Sequence, residues 1–291
     1  MTSLKKIILK NFATESGKQG ITILQHIFMV PLFINFWGIN IYAEWILISV
    51  IPTYLLLGSF GLNTFGANLM VIAYNKNKKN EVNFIFKNVS YFVTIIILSF
   101  LCIFILCDYF FNFTHILNIS SLTRNGIWIV VVLLILKYLL YSHALLVLDL
   151  LRAVHKYHIF NLIIITINLT ELILIIIALF VGGKIIDIAS VGLAVQLVGF
   201  IISYLFIKKT FRWFKIKKAK ISLLFFKKIF YPSISFMVPN LSSSLIIQGT
   251  IIFIGTTLNN NLLIFYNSMR IVLNGFKQII SIYTISHCPE I

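Results

Sequence analysis

Asn267, Arg270, Asn274, Lys277, Gln278 and Ser281 recur largely at steps of three and four in a segment that is otherwise apolar. That spacing places them on one face of a helix. Two cations on such a stripe suit a water-filled cavity that binds an anion, because a charge facing hydrocarbon is costly. Asn240, Ser244 and Gln248 form a second stripe at steps of four, and Lys18, Thr22, Gln25 and His26 a third near the N-terminus. The candidate cavity set is Arg270, Lys277, Asn274, Gln248, Lys18, Gln25 and His26.

A second constellation is the pair Lys137 and Glu171. Each stands ten residues from the outer end of an apolar run, at Ile127 and Val181. At 1.5 Å per residue both are about 15 Å deep, so neighbouring antiparallel helices bring them together as a mutually neutralising pair. Asn168 and Thr170 are further polar partners for that pair. No metal site or cofactor is expected. His155 and His158 are three apart with no acid or thiol beside them, and Cys102, Cys107 and Cys288 lack ligand spacing. No Gly-x-x-x-x-Gly-Lys-Ser/Thr loop occurs, and no catalytic residue set is expected.

The elements that position these residues follow from composition. Of 291 residues 59% are hydrophobic and 11% charged, with a mean hydropathy of +0.99. A soluble chain of this length cannot hide that much apolar surface. The expected fold is an all-α polytopic membrane protein with eight transmembrane helices, near 20–37, 44–62, 88–107, 126–148, 159–181, 186–207, 232–256 and 262–285. Pro31, Pro52 and Pro239 are expected to kink them.

The formal charge of +16 is a matter of orientation. Nineteen of the twenty-one Lys and Arg residues outside these segments fall on the side of the N-terminus. The positive-inside rule then places both termini in the cytoplasm and the basic loops against anionic lipid, with no nucleic-acid partner. Trp37, Trp45 and Trp128 fall at outer ends, where an aromatic belt is expected. Residues 1–207 form a six-helix lobe. Residues 208–231 form a basic cytoplasmic linker, expected as a short interfacial helix. Residues 232–291 hold two helices of a second lobe. A restart supports this division: Lys5-Lys6, Gln25 and Tyr42 match Lys227-Lys228, Gln248 and Tyr266 at offsets of 222 to 224, a parallel repeat.

Several short segments carry a resemblance. They are Tyr42-Ala-Glu-Trp45, Gly58-Ser-Phe-Gly-Leu62, Leu151-Arg-Ala-Val-His-Lys156, Tyr266-Asn-Ser-Met-Arg270 and the final His287-Cys-Pro-Glu-Ile291. Together they resemble the bacterial polysaccharide-export flippases, including O-antigen flippases, in the superfamily that also holds multidrug exporters and the lipid II flippase. The resemblance implies a cavity lined by the first, second, seventh and eighth helices. It also implies translocation of a polyprenyl-diphosphate-linked oligosaccharide across the inner membrane. The expected partners are that lipid-linked oligosaccharide, membrane lipids and other polysaccharide-assembly proteins. The family has twelve or more helices, so the chain is expected to be truncated in its second lobe and to insert without transporting alone, unless two copies assemble.

Other functions weigh less. A cationic-drug exporter of the same fold needs an acidic cavity. A membrane polymerase or glycosyltransferase needs a large outer loop or a cluster of acids and bases at one interface. A non-functional remnant of the flippase is a third reading.

Overall fold

The computed structural model describes the backbone of residues 2–111, 119–215 and 220–287, with the side chains of all but residues 2–5, 26, 54–60, 240 and 277–287. Seven long helices and one 3-10 turn make up nearly all of it, and no strand occurs among the described residues. They are α1 (Thr2–Asn75), α2 (Lys79–Phe111), α3 (Arg124–Leu148), a 3-10 turn (Asp149–Val154), α4 (Tyr157–Phe180), α5 (Ile185–Thr210), α6 (Leu223–Thr257) and α7 (Asn260–His287).

Five stretches among the described residues are long and apolar enough to cross a membrane: Lys6–Thr53, Lys79–Phe110, Arg124–Val154, Tyr157–Phe180 and Ile185–Thr210. A sixth is present if Leu223–Pro239 and Leu241–Thr257, inclined at 46°, form one span. Their outward faces carry Leu, Ile and Phe, for example Ile103, Leu106, Ile173, Ile177, Ile202 and Leu205, all exposed. A helix apolar on its outer as well as its inner side is suited to lipid, not water.

The first stretch, at 48 residues, would extend about 70 Å if straight, over twice a bilayer core. It is not straight. Gly38 has φ 75° and ψ 171°, the one non-helical residue within α1. A positive φ favours glycine, which has no Cβ to clash with the backbone. Pro31 and Pro52 lie within helical backbone, so the break expected at a proline falls instead at Gly38. In α6 the bend does fall at Pro239.

The core has two parts. The larger joins the second arm of α1 to α2, α3, the end of α5 and the start of α6, around Met70, Val89, Val131, Leu148 and Phe214. The smaller packs the turn of α1, from Phe33 to Val50, against α4, α5, α6 and α7. Glycines let backbones approach closely, as is common between membrane helices. A Cβ on Gly66 would meet Val89 Cγ2 at 2.7 Å, and one on Gly61 would run into the Ser233 carbonyl of α6.

The linker departs from expectation. Within it residues 211–215 and 220–222 are irregular, while the stretch from Leu223 is already the start of α6. Buried Asn83 and Asn88 of α2 hold this backbone. Asn83 accepts from Lys215 N at 3.1 Å. Asn88 accepts from Ser222 N at 2.7 Å and donates to the Lys220 carbonyl at 2.9 Å. Backbone groups bonded to side chains in this way do not need a helix.

Candidate functional site

Two arms of one helix make most of the site. The break at Gly38 folds α1 back on itself, so Gln25, Met29 and Phe33 on the first arm face Tyr42, Trp45 and Ser49 on the second. Aromatic packing fixes the turn. Phe33 stacks on Tyr42 with ring centroids 5.4 Å apart, and Trp37 meets Trp45 edge-on at 6.1 Å. The Trp37 indole N–H donates to the Gly183 carbonyl at 2.8 Å, tying the turn to the α4–α5 connection. On the other side of the second arm, Glu44 is buried and accepts from the backbone N–H and hydroxyl groups of Ser120 and Ser121.

Between these arms, α6 and α7 lies a cavity of about 470 Å³, closed at one side by Tyr138 of α3 and Ile175 of α4. It brings together Gln25, Gln248, Arg270 and Asn274 from the expected set. Arg270 is ten residues into α7, about 15 Å along its axis. Its Nη2 donates to Asn267 Oδ1 at 2.6 Å, while Nε and Nη1 are buried without a hydrogen-bond partner. Asn267 is itself buried. None of the ion pairs among the described residues includes Arg270. A guanidinium carries five N–H donors and no acceptor, so this one offers two donor directions to an anion.

Lys18 belongs elsewhere, which corrects its place in the cavity set. It pairs with Glu15 at 2.7 Å and donates to Asn161 at 3.1 Å, below the rings of Tyr157 and Phe160. Glu15 is fully buried, and a cation one turn away on the same helix is its nearest neutraliser. The side chains of His26 and Lys277 lie outside the described residues.

Lys137 and Glu171 are an ion pair, Nζ to Oε1 2.5 Å, between α3 and α4. Gly192 of α5 covers them. A Cβ there would meet Lys137 Nζ at 3.4 Å and Glu171 Oε1 at 3.5 Å. The pair stands behind the cavity wall, one residue from Tyr138, and does not line the cavity. Thr170 does not join it, since its hydroxyl donates to the Thr166 carbonyl at 2.8 Å.

Sequence reasoning missed Tyr42, Trp45, Ser49 and Thr53 as cavity residues. Their signal was present: they follow at steps of three, four and four along one face of an apolar helix. Trp45, expected in an aromatic belt, lines the cavity instead, because the turn at Gly38 points that face inward.

Comparison with protein-family models, curated proteins and solved structures finds no match to this chain.

Proposed function

We propose that the chain serves the translocation of a lipid-linked oligosaccharide, carried on a polyprenyl diphosphate, across the bacterial inner membrane, with the rest of its second lobe supplied by further helices or a second copy. In this proposal the chain crosses eight times: twice through α1, once each through α2 to α7. Both termini face the cytoplasm, on the side of the lysine-rich loops. The chain is a transporter and not an enzyme.

The observation that carries the proposal is Arg270: a guanidinium inside a 470 Å³ cavity, with two buried nitrogens unpartnered and no carboxylate paired to it among the described residues. A diphosphate cannot cross bare hydrocarbon, because removing its charge from water is prohibitively costly. Arg270, held by Asn267, offers a bidentate fork to phosphate oxygens. Gln25, Gln248 and Asn274 offer amides to a sugar, and Trp45 and Tyr42 offer rings. The lipid tail stays in the bilayer while the head group occupies the cavity. Helices α1, α6 and α7 then change their packing to open it alternately to each side. A cationic drug fits this chemistry poorly, since it would meet a cation with no balancing acid among the described residues.

The test is a binding titration on purified protein with geranylgeranyl diphosphate, followed by tryptophan fluorescence, to which Trp45 in the cavity wall contributes. Arg270→Gln is expected to weaken binding roughly 10- to 100-fold, the loss of a charge-assisted hydrogen bond. Unchanged affinity in that variant would sink the proposal.

A further inference from the structure

A second, smaller pocket of about 310 Å³ opens where the end of α1, the start of α2 and the start of α6 meet. It shares no residue with the Arg270 cavity. Its floor is apolar, made by Phe65, Leu69, Ile85 and Ile229. Its rim carries Lys76, Lys78 and Lys228, all exposed, against one acid, Glu81. Glu81 is taken by Lys78 at 3.4 Å, and neither Lys76 nor Lys228 forms an ion pair among the described residues. The volume falls at the small end of ligand sites, roughly 300–1,000 Å³.

An apolar floor beneath a basic rim has the two-part chemistry of a phospholipid. It also lies on the lysine-rich side of the helices, where a basic pocket between membrane helices meets anionic head groups. Free phosphate would use the rim and leave the floor, including half-exposed Ile72, uncovered. We infer that this pocket binds one anionic phospholipid, its phosphodiester between Lys76 and Lys228 and the start of its acyl chains on the Phe65–Ile229 floor. Lys76 follows α1 and Lys228 belongs to α6, so such a lipid bridges the two elements on the far side of the Gly61–Ser233 crossing from the substrate cavity. This site is independent of what the cavity carries.

The experiment titrates phosphatidylglycerol into the purified full chain in neutral detergent, reading bound lipid by native mass spectrometry. Lys76→Gln with Lys228→Gln is expected to weaken binding roughly 30-fold, at about fivefold per lysine. Lys76→Arg with Lys228→Arg retains binding. Glu81→Gln strengthens it several-fold, a gain that misfolding cannot produce. Lys209→Gln with Lys215→Gln, basic positions outside the pocket, leaves it unchanged. An equal loss in this last pair would mean diffuse attraction and overturn the site. So would equal binding of phosphatidylcholine, or full competition by inorganic phosphate at matched concentration.

Discussion

Lys137 and Glu171 depend on each other across two helices, α3 and α4. Both side chains are largely buried, at 20% and 11% exposure, and each is the other's ion-pair partner. Removing one leaves a buried charge uncompensated. Lys137→Ala or Glu171→Ala is therefore expected to destabilise the fold by about 3–5 kcal/mol. Replacing both, Lys137→Met with Glu171→Leu, removes the two desolvation penalties together and should restore the melting temperature to near the parent value. A double variant as unstable as the singles would show that the pair is not what holds these residues. This contact was legible from the sequence, since equal depth on consecutive antiparallel segments leaves few alternatives. The Lys18–Glu15 pair is more local, three residues apart, but the place of Lys18 in a stripe that runs on to Gln25 suggests the cavity, and only Gln25 lines it.

At the scale of elements, α1 decides the site. Gly38 turns one long apolar helix into two arms, and the cavity lies between those arms, α6 and α7. A Cβ on Gly38 would meet nothing within 4 Å, so crowding is not at issue. The backbone is. Gly38→Ala places a Cβ on a residue at φ 75° and ψ 171°, a region essentially confined to glycine, and is expected to cost about 1–3 kcal/mol. Gly20→Ala, equally uncrowded but inside regular helix, should stabilise by about 0.5–1 kcal/mol. Thermal unfolding of the two variants separates them, and equal shifts would contradict the role given to Gly38. Long apolar helices were readable from hydropathy because lipid demands internally bonded backbone. The location of the break was not, since Pro31 and Pro52 are the stronger local signal and both are accommodated within helical backbone. The irregular part of the linker was not readable for a related reason. Its basic and aromatic composition suits an interfacial helix, but Asn83 and Asn88, more than a hundred residues earlier, supply its hydrogen bonds.

For the whole molecule, the distribution of charge has a direction: lysines crowd alternate connections between the apolar segments, and the Arg270 guanidinium stands in a cavity among the helices with no ion pair among the described residues. The placing of Gln248, Asn267, Arg270 and Asn274 was readable because a helix repeats every 3.6 residues. The contribution of Tyr42 and Trp45 needed the tertiary turn that faces them inward. If the cavity carries a diphosphate head group, one change in a cell should interrupt one process. The direct measurement is surface polysaccharide in a strain whose own gene encodes Arg270→Gln, with the amount of membrane-inserted protein measured alongside. The expected result is loss of surface polysaccharide at unchanged protein level, with the lipid-linked oligosaccharide accumulating in the inner leaflet. Parental amounts of surface polysaccharide from that strain would contradict the account.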